Sequence, residues 1–211
     1  MAPRHDPWSL VVPIKRLDVA KSRIDLDPVD RADLAMAMAT DTVAAAIGCP
    51  LVGHVVVVTD DPRAVEALAG SGATIVADTP EAGLNPALRH GAAAAGGGPV
   101  AALGADLPAL TPADLNRVLL AAGAVVRGVV ADTTGAGTTI LTAASFAEFE
   151  PRFGPASFAA HRQDGSADLT AAAAPSVRRD VDTLDGLRAV LDLGVGAATR
   201  VVVARLAGHL G

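Results

Sequence analysis

Short runs of β-branched residues alternate along this chain with longer alanine-rich stretches whose apolar residues recur at helical spacing. That alternation admits few folds: each helix must pack back over a sheet whose neighbouring strands become parallel, so the expected class is α/β. Strands are read at 9–14, 54–59, 73–77, 100–103, 125–131, 138–141 and 176–181, and helices at 30–47, 62–70, 86–95, 112–122, 185–193 and 197–209. Several helices open on a capping residue followed by proline, as in Asp61-Pro62 and Thr111-Pro112. A chain of 211 residues buries roughly 70% of its unfolded surface, enough for one core, and residues 1–211 are expected to form one domain. Gly96-Gly97-Gly98 reads as a helix stop and turn before a strand, not as a linker.

Charge excludes some partners. With 17 basic against 23 acidic side chains and a net charge of −6, the chain offers no broad basic surface for nucleic acid. Its apolar runs fall short of the ~20 residues of a spanning helix, and Met1 to Trp8 lacks the pattern of a secretory leader. A lone Cys49 makes neither an internal disulfide nor a cysteine zinc site, so a cytoplasmic protein without membrane contact is expected. The basic residues are unevenly placed, however: Arg4, Lys15, Arg16, Lys21 and Arg23 outweigh Asp6 and Asp18 at the start, and the chain's two lysines both lie there. A small polyanion could bind such a segment, although a solvated loop would look the same.

In an open α/β sheet, ligands bind beyond the carboxyl ends of the strands. After the first strand comes the cationic Lys15-Arg16-Leu17-Asp18-Val19-Ala20-Lys21-Ser22-Arg23; after the fourth comes Gly104-Ala105-Asp106-Leu107-Pro108; the last ends in Asp180-Val181-Asp182. Residues two apart on extended backbone point to the same side, so Asp180 and Asp182 can aim two carboxylates at one point while Val181 faces the core. With Asp106 they supply three hard oxygen donors suited to Mg²⁺, which keeps waters and shares substrate phosphates. Alone, an Asp-x-Asp also occurs in surface turns, and Asp106 before Leu-Pro can simply cap one.

A second constellation is the glycine-bearing Asp132–Thr139 stretch followed by Arg152-Phe153-Gly154-Pro155-Ala156-Ser157 and His161. Exposed backbone N–H groups and a helix start there would suit a phosphate or carboxylate, while a hairpin turn and an ordinary cap are the plainer alternative. His161 reads as structural more readily than catalytic. Asn85 stands either at a ligand or as the N-cap of the third helix. Walker, dinucleotide-fingerprint, serine-elbow and His/Cys zinc patterns are absent, which removes weight from P-loop NTPases, dehydrogenases and serine hydrolases.

Taken in order, Val12-Pro13-Ile14-Lys15-Arg16-Leu17, Ala20-Lys21-Ser22-Arg23, Gly83-Leu84-Asn85, Gly104-Ala105-Asp106-Leu107-Pro108, Gly135 to Thr138, Phe153-Gly154-Pro155-Ala156-Ser157-Phe158 and Asp180-Val181-Asp182-Thr183 resemble the 2-phospho-L-lactate / phosphoenolpyruvate guanylyltransferase family of coenzyme F420 biosynthesis. The resemblance runs from about residue 10 to residue 196. It implies a three-layer α/β/α nucleotidyltransferase-type fold, with a mixed, mostly parallel sheet and one antiparallel strand. It also implies transfer of GMP from GTP to the phosphate of a small phospho-acid. By family position Asp106, Asp180 and Asp182 match Mg²⁺ ligands, Thr138, Gly154 and Ser157 match contacts to the phospho-acid, and Lys15, Lys21 and Arg23 match the loop meeting the triphosphate. Asn85 and Asp106 join Lys15 and Lys21 as expected nucleotide contacts. Where the wider superfamily often has a glycine-rich Leu-Ala-Gly-Gly-type loop, this chain has Pro13-Ile14-Lys15-Arg16-Leu17, so base recognition does not carry over.

Phosphoenolpyruvate is the expected acceptor, because the lysine-poor, alanine- and arginine-rich usage fits a GC-rich genome and the actinobacterial branch of the family is associated with that substrate. The alternatives are 2-phospho-L-lactate and 3-phospho-D-glycerate, which share its phosphate and carboxylate. The product is expected to pass to the next enzyme of the coenzyme pathway, and no motif identifies an oligomer interface. Two other classes compete. A metal-dependent glycosyltransferase would release a nucleoside diphosphate from a sugar nucleotide, and a GTP-binding module would bind without turnover.

Overall fold

In the computed structural model, residues 6–18, 21, 23–79 and 81–209 are described. Arg4, Val19, Ala20 and Ser22 of the predicted cationic segment lie outside them. The elements follow as β1 (Trp8–Pro13), α1 (Pro28–Ile47), β2 (Val52–Val58), α2 (Pro62–Leu68), β3 (Thr74–Val76), α3 (Leu84–Ala94), β4 (Val100–Leu103) and α4 (Pro112–Ala122). After these come β5 (Arg127–Ala131), β6 (Thr138–Ala143), α5 (Ser157–Gln163), β7 (Ala167–Asp168), α6 (Pro175–Arg178), α7 (Leu184–Leu191) and α8 (Ala197–Arg205). The strands form one sheet in the order β3-β2-β1-β4-β6-β5-β7. Only β6 runs against its neighbours, pairing antiparallel with both β4 and β5. The mixed, mostly parallel α/β sheet expected from the sequence is therefore present.

Side-chain alternation along the central strands builds a layer on each face. Leu10, Val12, Val55, Val57, Ala101 and Leu103 pack with α1 and α4 on one side. Val11, Val56, Val58, Val100 and Ala102 meet Ala87, Leu88 and Ala92 of α3 on the other. Burying each such valine or leucine is worth roughly 1.5–3 kcal/mol, so both faces are strongly specified. A third cluster joins Leu34 and Met38 of α1 to Leu187 and Val190 of α7 and to Leu206 beyond α8, which seats the last helices on the outer side of α1. No helix among the described residues is long and apolar enough to cross a membrane.

Local chemistry accounts for most boundaries. Asp27 accepts from Val29 N and Asp30 N ahead of Pro28, so α1 starts at Pro28, earlier than its apolar period suggests. Asp61, Thr111 and Thr183 cap α2, α4 and α7 in the same way. The strand expected at 176–181 is not formed. Pro175 starts the short helix α6 there, residues 179–182 form neither helix nor strand, and the seventh strand is instead Ala167–Asp168, parallel to β5.

Candidate active site

Strand order reverses at β1: α1 leads from β1 to β2 on one side, while β4 flanks it on the other. The loops after β1 and β4 therefore diverge and leave a cleft beyond their carboxyl ends. Because β6 is antiparallel, its first residue comes to that same edge, Ile140 pairing with Leu103 and Thr138 extending past it. The cleft has a volume of about 460 Å³, and its walls include Lys15, Lys21, Arg23, Asp106, Thr138, Asp180 and Asp182. These seven predicted residues are thus brought together from four separate parts of the chain. Apolar walls come from Leu84, Leu88 and Phe153.

Three backbone clamps shape the cleft. Asp61 uses Oδ1 to cap α2 and Oδ2 to accept from Leu17 N at 2.8 Å, fixing the start of the cationic loop. Thr42 of α1 accepts from Leu107 N at 3.2 Å and so holds the turn that carries Asp106. Val181 N donates to Asp106 O at 3.2 Å, tying the Asp180–Asp182 segment to that turn although no strand forms. Val181 is fully buried, so the alternation predicted for this segment survives without sheet pairing.

Electrostatically the site is a cation held among carboxylates. Lys21, whose backbone has the left-handed φ of 54°, places Nζ 2.6 Å from Asp106 Oδ2 and 2.8 Å from Asp182 Oδ1. Burial alone would lower the Lys21 pKa, but Asp106 and Asp182 overcome it and the value is raised. Asp182 shows the opposite balance: burial pushes it up, yet Lys21, then Arg23 and Lys15, bring it below the usual range. Arg23 lies 4.0 Å from Asp182 and is largely exposed. Asp180 has no such compensation. Its burial, with Asp106, Asp182 and Asp132 nearby, pushes its pKa up to about 6.

Three carboxylates lining one cleft supply the oxygen donors a hard divalent cation needs. Among the described residues no three carboxylate, histidine or cysteine side chains stand close enough together to hold a metal ion as the site is arranged. The Lys21 ammonium sits between two of the expected ligands instead. The donor set fits Mg²⁺ provided that Lys21 yields its place.

Asn85, Gly154 and Ser157 are not among the cleft's walls. Asn85 lies inside the first turn of α3, whose N-cap is Gly83, and its carboxamide both accepts from Phe153 N at 2.7 Å and donates to Phe153 O at 3.0 Å. It therefore fixes the chain next to Gly154. Gly154 has φ 150°, and Ser157 is buried at the start of α5. The Asp132–Thr139 stretch is the β5–β6 hairpin turn, with Asp132 accepting from Thr134 Oγ1 and Ala136 N. Thr42 and Asp61, which the sequence does not mark as site residues, act through hydrogen bonds to backbone N–H groups that leave no spacing signal.

A seven-stranded sheet with one reversed strand, opening at β1 and β4 onto carboxylates and lysines, is the fold also seen in solved nucleotidyl transferase structures. Similar folds are a nucleotidyl transferase from Methanothermobacter thermautotroptrophicus, with TM-score 0.63, 19% identity and coverage of 89% of this chain and 97% of that one, and a proposed nucleotide-diphospho-sugar transferase from Desulfovibrio desulfuricans, with TM-score 0.69, 15% identity and coverage of 98% and 97%. The family model described as guanylyl transferase CofC like matches residues 8–199, and the chain belongs to that family. A Streptomyces coelicolor protein named phosphoenolpyruvate guanylyltransferase is 54% identical over 206 residues, covering 94% of this chain and 97% of that one. A Thermomonospora curvata protein of the same name is 48% identical over 205 residues, covering 94% and 90%.

Proposed function

We propose that this protein transfers GMP from GTP to phosphoenolpyruvate, giving enolpyruvoyl-2-diphospho-5′-guanosine and pyrophosphate, as a step in coenzyme F420 biosynthesis. The observation that carries the reading is the convergence of Lys15, Lys21 and Arg23 with Asp106, Asp180 and Asp182 in one cleft, in a family whose similar members bear that name.

An oxygen of the acceptor phosphate attacks the α-phosphorus of GTP; the new P–O bond forms as the bond to the β-phosphate oxygen breaks, and its electron pair leaves with pyrophosphate. At neutral pH the attacking oxygen is already anionic, so no general base is required and catalysis rests on alignment and on neutralising crowded negative charge. Lys15, exposed where it lines the cleft, and Lys21, once drawn from Asp106 and Asp182, are assigned to the triphosphate and the leaving group. Arg23 adds a third cation on the same side. Thr138, which lines the cleft, and, by family position alone, Gly154 and Ser157 are assigned to the phospho-acid. Asp106, Asp180 and Asp182 would hold Mg²⁺, whose chemistry there is charge neutralisation of the two reacting phosphates.

The test is a set of parallel reactions containing Mg²⁺, GTP and one of phosphoenolpyruvate, 2-phospho-L-lactate or 3-phospho-D-glycerate. Pyrophosphate release and a guanylated product of the right mass are expected fastest with phosphoenolpyruvate. Product with another acid alone would keep the reaction and change the substrate, and GTP binding without pyrophosphate from any of them would sink the transferase reading.

A further inference from the structure

His161 of α5 is 1% exposed, yet both its ring nitrogens are in use. Nε2 accepts from the backbone N–H of Arg152 at 2.9 Å, and Nδ1 lies 3.1 Å from Thr138 Oγ1. A backbone amide can only donate, so Nε2 carries no proton and the single proton of the neutral ring is on Nδ1. Nδ1–H then faces Thr138 Oγ1 and the backbone carbonyl of Ser157, and because Nδ1 carries the proton the threonine cannot give its own proton to the ring. No other hydrogen bond is made by this hydroxyl among the described residues, and Thr138 lines the cleft.

We infer that His161 is a positioning residue that makes Thr138 a committed hydrogen-bond donor to an oxygen of the anionic acceptor. The inference rests on the acceptor reading above and deepens it: the Thr138 subsite takes a ligand atom with lone pairs, a phosphate or carboxylate oxygen, and discriminates against one that must itself donate.

The surroundings hold this arrangement. Burial, with a further push from the Arg152 charge, lowers the His161 pKa to about 4, so the ring stays neutral at working pH. The Phe153 ring meets it edge-on at 5.1 Å and 72°. Arg152 N and both backbone groups of Phe153 are thus bound by His161 and Asn85, which fixes the ring's orientation from the chain side. The Arg152 guanidinium is itself engaged with Asp164.

Two substitutions separate this role from simple packing. In His161→Gln the longer amide reaches the Nε2 position and can still accept from Arg152 N, but no donor remains near Thr138; in His161→Asn the amide N–H replaces Nδ1–H and the Arg152 bond is lost. His161→Gln is expected to raise KM for phosphoenolpyruvate about tenfold, the loss typical of one hydrogen bond to a charged group, with kcat and KM for GTP held within about twofold. His161→Asn should keep KM near that of the parent while melting earlier. Thr138→Val should match His161→Gln, and the double variant Thr138→Val/His161→Gln should be no worse than Thr138→Val. Equal KM increases in the Gln and Asn variants, or an unchanged KM in His161→Gln, would overturn the inference while leaving the transferase reading intact; a parent protein inert towards all three phospho-acids would remove both. Should the His161 variants fail to fold, ¹⁵N chemical shifts of His161 in the parent decide the matter, a protonated Nδ1 being expected and a protonated Nε2 contradicting it.

Discussion

Asp106 is the residue on which the two halves of the site meet: its side chain binds Lys21 and its carbonyl holds Val181 beside Asp180 and Asp182. Asp106→Asn keeps the shape and the backbone bond but removes the charge, so turnover is expected to fall below detection while the melting temperature stays within a few degrees. Normal turnover by the folded variant would take Asp106 out of the ligand set. Lys21→Met makes the complementary case. It leaves Asp106 and Asp182 facing each other without their cation, and the metal-free protein should melt about 2–8 °C lower, the shift that about 1–2 kcal/mol produces in a domain of this size. Added Mg²⁺ should restore part of that loss by binding the same carboxylates, whereas an unchanged metal-free melting curve would contradict the placement of Lys21. His161 gives a pH signature. Its folded pKa of about 4 lies below the ordinary 6.5, so between those values the unfolded chain binds the proton preferentially. This contribution to stability is complete above about pH 6.5 and is lost as pH falls towards 4. In His161→Asn, urea midpoints should fall less steeply across that window.

At the scale of elements, α3 lies close against β1 and β2 because Gly91 has no side chain. A Cβ there would stand 2.5 Å from Val11 Cγ1 and 2.6 Å from Val58 Cγ2. Gly91→Ala gains about 1 kcal/mol of helix propensity but forces overpacking worth about 1–3 kcal/mol, so a net loss is expected in urea unfolding. Val11→Ala in the same chain should recover part of it. The packing also shows what was legible in the sequence. Helix starts could be read where an aspartate or threonine precedes proline, because cap and backbone restriction are local chemistry. The apolar alternation of β1, β2 and β4 was readable for the same reason. The segment 176–181 misled because its alternation is real but has no strand to pair with, and β7 is two residues long, too short to carry a period. At the site, the Asp180/Asp182 spacing was visible. The ammonium joining Asp106 and Asp182 was not, since Lys21 is 85 and 161 residues away from them in sequence. Asn85 was read as a cap or a ligand, and its bonds to Phe153 span 68 residues.

Across the whole molecule, the sheet order brings the cationic loop, Asp106 and Thr138 to one side, where parallel β1 and β4 end and reversed β6 begins, and the Val181 bond to Asp106 adds Asp180 and Asp182. The rest of the sheet and its helices supply rigidity to that edge, with cationic loop, acidic turn and Thr138 each anchored by backbone hydrogen bonds or a buried side chain. Such a frame suits a reaction that needs two polyanions brought together and little proton movement. The account's central claim is attack at the α-phosphorus of GTP, and phosphorus NMR of the complete reaction reads it directly. With Mg²⁺, GTP and phosphoenolpyruvate, the prediction is a pair of mutually coupled resonances from a new asymmetric diphosphate, growing in step with free pyrophosphate. Appearance of GDP or orthophosphate without that pair would mean that the bond broken lies elsewhere in the triphosphate, and would contradict the account.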